Sequence, residues 1–189
     1  MATTPMKRIP RDNLPEEFHQ AWDVLNHLTG EPTFVEVFAA APELLRFVMG
    51  DFYGNIFFGG SVDNRYKQLV RLKLSLVHGC HTCNLQNIPG SLEAGITQDQ
   101  IDAMGEFEQG PFSDQDKAVL RFAEQIALTN MEGRMSPALY EQLNRHFSDA
   151  QICELGVVAG VISGLAKMSF VMGLVEKEEY CPFAKDDAA

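Results

Sequence analysis

The chain has 189 residues, of which 46% are hydrophobic and 22% are charged, a composition close to that of soluble globular domains. This length suits one domain with a sizeable core, and the composition excludes a chain that is disordered throughout. With 26 acidic and 15 basic residues the net charge is −11, spread along the sequence, which makes nucleic acids and anionic membrane surfaces poor partners.

The N-terminal half of the chain predicts an extended arm followed by three helices. The arm covers residues 1–14, and apolar residues at helical spacing from Phe18 onwards predict a first helix that ends at Gly30. A second helix is predicted to begin near Pro42 and to continue to a pair of glycines. A third begins after Asp63, a suitable N-cap, and its apolar residues cover more than one face. We expect this third helix to be buried or to lie at a subunit contact.

The C-terminal half carries further helix signals. Serine or threonine caps at Thr97, Ser136 and Ser148 predict helix starts, and the last helix is long, apolar and rich in small residues. Pro89 is expected to shorten or kink the helix that follows two cysteines in the middle of the chain. Hairpin signals are absent from the sequence, so we predict an all-α fold of seven or eight helices, in a single domain that spans residues 1–189.

The stretch LVHGCHTCNLQN, residues 76–87, contains the sharpest motif of the chain. Cys80 and Cys83 form a CxxC pair, and His78 and His81 stand beside them. The sequence shows no N-terminal targeting segment and no apolar stretch that we expect to span a bilayer, which predicts a cytoplasmic protein. Thiols are mostly kept reduced in that compartment, so the motif indicates catalysis or metal binding before a structural disulfide.

A metal site is disfavoured by the number of ligands. Zinc needs four ligands, commonly from two pairs, but Cys153 and Cys181 are isolated and no second CxxC or HxxxH follows. We therefore predict no metal and no cofactor, and we expect Cys153 to be buried on a helix and Cys181 to be a surface thiol. An alternative stays open, in which Cys80 and Cys83 pack as small apolar residues in the core.

Redox chemistry is the function that the motif favours. At a helix N-terminus, backbone N–H groups and the helix dipole stabilise a thiolate, and CxxC spacing puts two sulfurs within reach of each other. One sulfur can attack a peroxide or a disulfide, the second can close an internal disulfide, and an external thiol can reverse the result. The hydroxyl that leaves from a peroxide needs a proton, for which His78 and His81 are local candidates.

From residue 65 to residue 87 the sequence reads RYKQLVRLKLSLVHGCHTCNLQN. It resembles the alkylhydroperoxidase D/carboxymuconolactone decarboxylase family, and in particular its peroxidase-related branch. The resemblance covers about residues 10–175 and implies a compact helical domain of the alkylhydroperoxidase D type. It also implies that Cys83 attacks the peroxide, that Cys80 is the resolving cysteine, and that the chain forms homo-oligomers, either trimers or hexamers.

Two positions depart from the family pattern. The family carries a Glu twelve residues before the first cysteine and a His four residues after the second, where this chain has Gln68 and Asn87. Amide side chains form hydrogen bonds but cannot take up or release a proton near neutral pH. We therefore expect either that His78 or His81 replaces this proton relay or that the protein has slow or altered chemistry.

Three functions are compatible with these residues. The favoured one is a thiol-dependent peroxidase or disulfide oxidoreductase that acts on a small peroxide and exchanges electrons with an external thiol or disulfide. A second is a cofactor-free decarboxylase or lyase on a small carboxylic acid or lactone, with His78 or His81 as its acid or base. In that case Arg65 or Arg71 would hold the carboxylate. The third is a non-catalytic binding protein that has kept only the fold.

Overall fold

The computed structural model describes residues 2–178, which form nine α-helices and, apart from one isolated bridge, no β-structure. The helices are α1 (His19–Thr29), α2 (Thr33–Phe38), α3 (Pro42–Arg46), α4 (Asn64–Val77), α5 (His81–Glu93), α6 (Gln98–Asp102), α7 (Asp114–Ile126), α8 (Pro137–Asn144) and α9 (Asp149–Val171). A π-helix, Phe47–Phe57, continues α3 directly. The all-α class expected from the sequence is therefore confirmed.

Helix starts follow the caps that the sequence predicts. The Asp63 carboxylate accepts a hydrogen bond from the N–H of Arg65 at 2.8 Å, at the start of α4. Thr97 and Ser148 each form a capping box with the glutamine three residues further on. Such caps satisfy N–H groups that have no partner in the first turn, which explains why local sequence locates these starts.

The helix pattern differs from the prediction in two places. The described residues hold one or two helices more than expected, because α2 has only six residues and is too short to show a periodicity in the sequence. Pro89 does not end α5, which continues to Glu93. The proline removes one N–H donor from the helix, but the helix is not shortened there.

The N-terminal arm lies along two parts of the chain. Residues 2–10 contain no helix or strand. The N–H of Thr3 donates to the carbonyl oxygen of Gly173 at 3.0 Å, and the N–H of Ile9 donates to the carbonyl oxygen of Glu36 at 3.0 Å. These hydrogen bonds attach the arm both near α2 and just after α9.

α4 lies at the centre of the main core. Every residue from Lys67 to Ser75 is buried, and α5, α7 and α9 all contact this helix. Apolar residues of α7 and α9 complete the core, whereas a smaller cluster around Leu14, Phe18 and Val35 holds the N-terminal part together. The broad apolar surface of α4 is thus used inside the chain.

α9 corrects one expectation from the sequence. It has 23 residues and a mean hydropathy of 1.5 over its most apolar stretch, so by length and composition it is a helix that could cross a bilayer. We expected no such stretch. The buried face of α9, 39% of that stretch, belongs to the main core and contacts α4 and α7. Because a core helix of a bundle passes the same test, the finding is weak support for a membrane location.

The ammonium group of Lys67 is fully buried and is held by one carboxylate. Its Nζ lies 2.9 Å from Oε1 of Glu154 on α9 and also donates to the carbonyl oxygens of Ile56 and Gly59. Burial alone would raise the pKa of Glu154, but hydrogen bonds from Lys67 and from residues 61–62 hold this pKa at about 2. The ionised pair therefore ties α4 to α9, since a buried charge needs a countercharge.

We expect Glu154→Gln to lower the free energy of unfolding by about 3 kcal/mol at pH 7, because it removes the countercharge of a buried ammonium group while keeping the side-chain size. Urea unfolding followed by circular dichroism measures this loss. Since the folded pKa of Glu154 is depressed from 4.5, the difference from wild type should be complete above that pH and shrink as the pH falls toward 2. Glu141→Gln, on the exposed side of α8, is the control, and equal stability of Glu154→Gln and wild type would contradict the pairing.

Candidate functional site

The turn between α4 and α5 positions both cysteines. α4 ends at Val77, and Gly79 has a φ of 61°, a left-handed conformation that glycine adopts without strain. The next residue, Cys80, is the N-cap of α5, and its Sγ accepts a hydrogen bond from the N–H of Cys83 at 3.3 Å. The CxxC motif therefore lies at a helix N-terminus, the place where a thiolate is stabilised.

Cys80 and Cys83 are joined by a disulfide, with their Cα atoms 5.2 Å apart. Cys80 is fully buried in a cluster with Phe170, Ala166 and Val175, whereas Cys83 is partly exposed. The structure thus represents the oxidised state of the motif. In this state a reagent from outside can reach Cys83 but not Cys80.

A short C-terminal strap, residues 174–178, crosses the motif. The N–H of Glu178 donates to the carbonyl oxygen of Gly79 at 2.9 Å, and the side-chain amide of Asn84 donates to Oε1 of Glu178 at 2.7 Å. The isolated β-bridge of the structure joins this strap to Cys80. These contacts hold the strap over Cys80, which explains why this cysteine is buried although it lies in a turn.

A cavity of about 100 Å³ lies beside the disulfide. The polar and sulfur-bearing side chains that line it include Glu31, Tyr53, Arg71, Ser75, His78, Cys80, Thr82, Cys83, Gln86, Asn87 and Ser169. Apolar residues of α9 and of the N-terminal helices complete the wall. Sites for drug-sized ligands measure about 300–1,000 Å³, so this cavity suits a compact molecule smaller than a drug.

His78 lines this cavity, but its ring is already engaged. Nε2 accepts a hydrogen bond from the N–H of Leu128 at 3.1 Å, so the proton of the neutral ring lies on Nδ1. Burial lowers the pKa of His78 to about 4, from its ordinary value of 6.5. The imidazole is therefore neutral at physiological pH, and the lone pair that a general base would use is occupied.

The other residues considered for the proton relay lie in different places. The side chain of His81, at the first position of α5, is 46% exposed and is not among the residues that line the cavity. Gln68 is buried against Gly90 and also lies outside the cavity wall. Asn87 is buried and lines the cavity. Of these candidates, only His78 and Asn87 thus reach the space beside the disulfide.

Arg71 is a cavity residue that the sequence suggested only for the lyase alternative. α4 presents Arg71, Ser75 and His78 at i, i+4 and i+7, on one face that leads toward the CxxC motif, and this spacing is the signal available in the sequence. Burial lowers the pKa of Arg71 from its ordinary value of 12.5. Arg65, the other arginine considered, lies outside the cavity wall and donates to Asp116 at 3.1 Å.

The two cysteines outside the motif were expected to be one buried and one exposed thiol. Cys153 is free and exposed, so the expectation that it is buried is wrong. The reason is its place on α9, where the neighbouring Ile152 and Leu155 face the core and Cys153 falls on the outer side. Cys181 lies outside the described residues.

Residues 42–125 match the model of the carboxymuconolactone decarboxylase family, and this stretch contains the CxxC motif. The uncharacterized protein YdfG of Bacillus subtilis (strain 168) is 24% identical over 114 residues, which cover 60% of this chain and 77% of YdfG. This part of the chain thus matches the carboxymuconolactone decarboxylase family, in agreement with the resemblance in the sequence.

Solved structures with low sequence identity share the fold. The debrominase Bmp8, as a cysteine-to-alanine variant in complex with 2,3,4-tribromopyrrole, gives a TM-score of 0.73 at 14% identity, over 94% of this chain and 93% of that one. The alkylhydroperoxidase AhpD core of an uncharacterized peroxidase-related protein from Ralstonia eutropha gives 0.70 at 15% identity, over 94% and 95% of the two chains. The fold is therefore of the alkylhydroperoxidase D type.

We expect His78→Gln to make stability less dependent on pH. Between about pH 6.5 and 4 the unfolded chain binds a proton at His78 that the folded chain does not, so the wild type loses stability as the pH falls, by about 2 kcal/mol at pH 5 from this group. Urea midpoints between pH 7 and pH 5 measure the slope. The exposed His146→Gln should keep the wild-type slope, and an unchanged slope in His78→Gln would show that His78 is not held neutral.

Proposed function

We propose that this protein is a thiol-dependent oxidoreductase that reduces a small peroxide with Cys83 and Cys80. The observation that supports this most is the CxxC motif at a helix N-terminus beside a cavity, with one sulfur reachable and its bonded partner buried. Two cysteines that served only as small core residues would need neither a cavity nor an exposed sulfur. The family that residues 42–125 match supports peroxidase-like or decarboxylase-like chemistry in general.

The reduction of a peroxide needs only the two thiols. The Cys83 thiolate attacks one oxygen of the peroxide, an S–O bond forms, the O–O bond breaks, and the departing alkoxide takes up a proton. The Cys80 thiolate then attacks the sulfur of Cys83, which closes the disulfide and releases hydroxide that is protonated to water. The thiols thus supply the two electrons and two protons that convert one peroxide into an alcohol and water.

The geometry also favours recycling by an external thiol. This thiol attacks the reachable sulfur of Cys83, and Cys80 leaves as a thiolate that accepts the N–H of Cys83 at the start of α5. A thiolate that is stabilised in this way is a better leaving group. Since a reducing compartment provides such thiols, we place the protein in the cytoplasm.

Proton transfer is the weak part of the site. Asn87 can orient a peroxide by a hydrogen bond but cannot donate a proton as an acid does, and Gln68 lies outside the cavity wall. His78 is neutral, with its acceptor nitrogen engaged, and His81 is on the outside. We therefore infer that water supplies the protons and that turnover is slow. The same shortage of an acid or base disfavours the lyase alternative.

A halogenated ring is a second acceptor for the same two thiols. The debrominase Bmp8 has the same fold, and its structure contains 2,3,4-tribromopyrrole. Reductive debromination exchanges a C–Br bond for a C–H bond and releases bromide and a proton, while two thiols become a disulfide. This compound therefore belongs in the assay beside a peroxide.

We expect Cys83→Ser to abolish the consumption of peroxide. After one equivalent of tert-butyl hydroperoxide, mass spectrometry should show the loss of two hydrogen atoms in reduced wild type, the gain of one oxygen in Cys80→Ser, and no change at residue 83 in Cys83→Ser. Cys153→Ser, which removes the exposed free thiol, is the matched control and should behave like wild type.

The outcomes separate the three functions. Peroxide consumption by Cys83→Ser at the wild-type rate would refute the proposal. Turnover of a small carboxylic acid by a Cys80→Ser/Cys83→Ser double variant would favour the lyase. A folded wild type that consumes none of the three compounds, the peroxide, the bromopyrrole and the carboxylic acid, would support the non-catalytic binding protein.

We also propose that the chain forms a homo-oligomer, a trimer or a hexamer, in which the exposed face of α5 is a subunit contact. Leu85 and Leu92 are seven residues apart on α5, are 41% and 44% exposed, and follow the CxxC motif closely.

We expect Leu85→Glu/Leu92→Glu to reduce the mass in solution from that of an oligomer toward the 21.0 kDa of one chain, because two charges would enter an apolar contact. Light scattering after size exclusion measures it, with Met131→Glu, at a 91% exposed residue, as control. A wild type of 21.0 kDa at micromolar concentration would exclude the assembly.

A further inference from the structure

We propose that Arg71 forms an anion-binding subsite in the cavity and that the substrate reduced at Cys83 carries a carboxylate group. This inference rests on the proposed function and specifies its class of substrate. It starts from a buried cation whose hydrogen-bond donors have no acceptor in the described part of the chain.

The guanidinium group of Arg71 has unusual surroundings. The residue is only 7% exposed, yet within residues 2–178 it forms no hydrogen bond and no ion pair. Its contacts are with two aromatic rings, and its Cζ lies 5.4 Å from the ring centroid of Tyr53 and 5.3 Å from that of Phe57. Aromatic rings attract a cation but do not accept the five N–H bonds that a guanidinium can donate.

The two neighbouring buried cations of α4 are paired instead. Nζ of Lys67 lies 2.9 Å from the Glu154 carboxylate, and Nζ of Lys73 lies 2.8 Å from the Glu124 carboxylate. Both follow the rule that a buried charge has a countercharge, because an unpaired one costs several kcal/mol. Arg71 lies between them and lines the cavity, so a ligand in the cavity can supply the countercharge that the described residues do not.

Among the described residues, the cavity wall contains one carboxylate, that of Glu31, and this group already has partners. It accepts a hydrogen bond from the N–H of Ala2 at 2.8 Å and another from the hydroxyl of Thr33, and it lies 3.4 Å from the guanidinium of Arg8. It forms no ion pair with Arg71. Glu31 therefore does not neutralise the site.

The chemistry of the site indicates a small carboxylate. A guanidinium offers two parallel N–H bonds that match the two oxygens of a carboxylate. Arg71 and Cys83 line the same cavity, so the anionic group and the reducible bond should belong to one short molecule that fits about 100 Å³.

Iodoacetate and iodoacetamide are matched probes, because they differ little in size and only the former is an anion. The thiolate of Cys83 displaces iodide from either reagent, so an S–C bond forms and a C–I bond breaks. In reduced wild type we expect the ratio of the two rates, iodoacetate over iodoacetamide, to be about tenfold higher at Cys83 than at the exposed Cys153 of the same molecule. One charge-assisted hydrogen bond gives an effect of about that size.

Variants at Arg71 test whether this residue causes the preference of Cys83 for iodoacetate over iodoacetamide. Arg71→Met should bring the ratio at Cys83 down to that at Cys153, and Arg71→Lys should keep part of it. Removal of an unpaired buried cation should also raise the urea midpoint. An unchanged ratio at Cys83 together with a lower midpoint would mean that Arg71 is structural, which overturns the proposal.

If Arg71→Met does not fold, experiments on the wild type alone still test the anion-binding subsite. Propionate, but not propionamide, should then slow the alkylation of Cys83 by iodoacetamide, and equal protection by both would overturn the proposal. Alkylation does not require peroxide turnover. A preference for the anion without turnover would therefore support the subsite and reject the proposed function. Turnover without a preference would support the proposed function and reject the subsite.

Discussion

The site depends on one backbone conformation, the left-handed turn at Gly79 between α4 and α5. Because the chain turns there without strain, α5 begins directly beside the end of α4 with Cys80 as its cap. The two helices then supply much of the cavity wall. Arg71 and Ser75 lie on α4, His78 caps its C-terminus, and Cys83, Gln86 and Asn87 lie on α5. A side chain at position 79 would strain this turn, because residues other than glycine rarely adopt a φ of 61°.

The strap makes the two sulfurs unequal. Backbone hydrogen bonds to Gly79 and the bridge to Cys80 cover the first cysteine, while the second stays partly exposed. Both thiols of a CxxC motif can attack a peroxide or a disulfide, but only a sulfur that is accessible can meet a substrate or a reductant. Cys83 therefore takes the external reactions in our proposal, and Cys80 is confined to the internal one. The unequal access to the two sulfurs therefore supports the assignment that the family resemblance implies, which stays a proposal.

The sequence predicted what local interactions determine. Caps such as those at Asp63 and Ser148 involve residues within one turn, so the local sequence predicts them. The CxxC motif indicates redox chemistry by its spacing alone. Side-chain direction was less accessible: Cys153 is on the outer side of α9, and His81, although inside the motif, is turned away from the cavity. Tyr53 comes from a distant π-helix, and nothing in the local sequence indicates that it meets α4. Such contacts arise from packing between elements, which no periodicity within a single element records.

The two reactions of a CxxC pair differ in what they need from acids and bases. Cleavage of a peroxide produces an alkoxide, a poor leaving group that benefits from a proton donor, whereas disulfide exchange releases a thiolate that is stable near neutral pH. With amides at positions 68 and 87, we expect the second reaction to be impaired less than the first. A bound carboxylate at Arg71 would compensate by positioning, because holding a reactive bond against a thiolate accelerates attack without any proton transfer. In this interpretation, the buried cation of α4 positions the substrate at a site where Gln68 and Asn87 supply no proton.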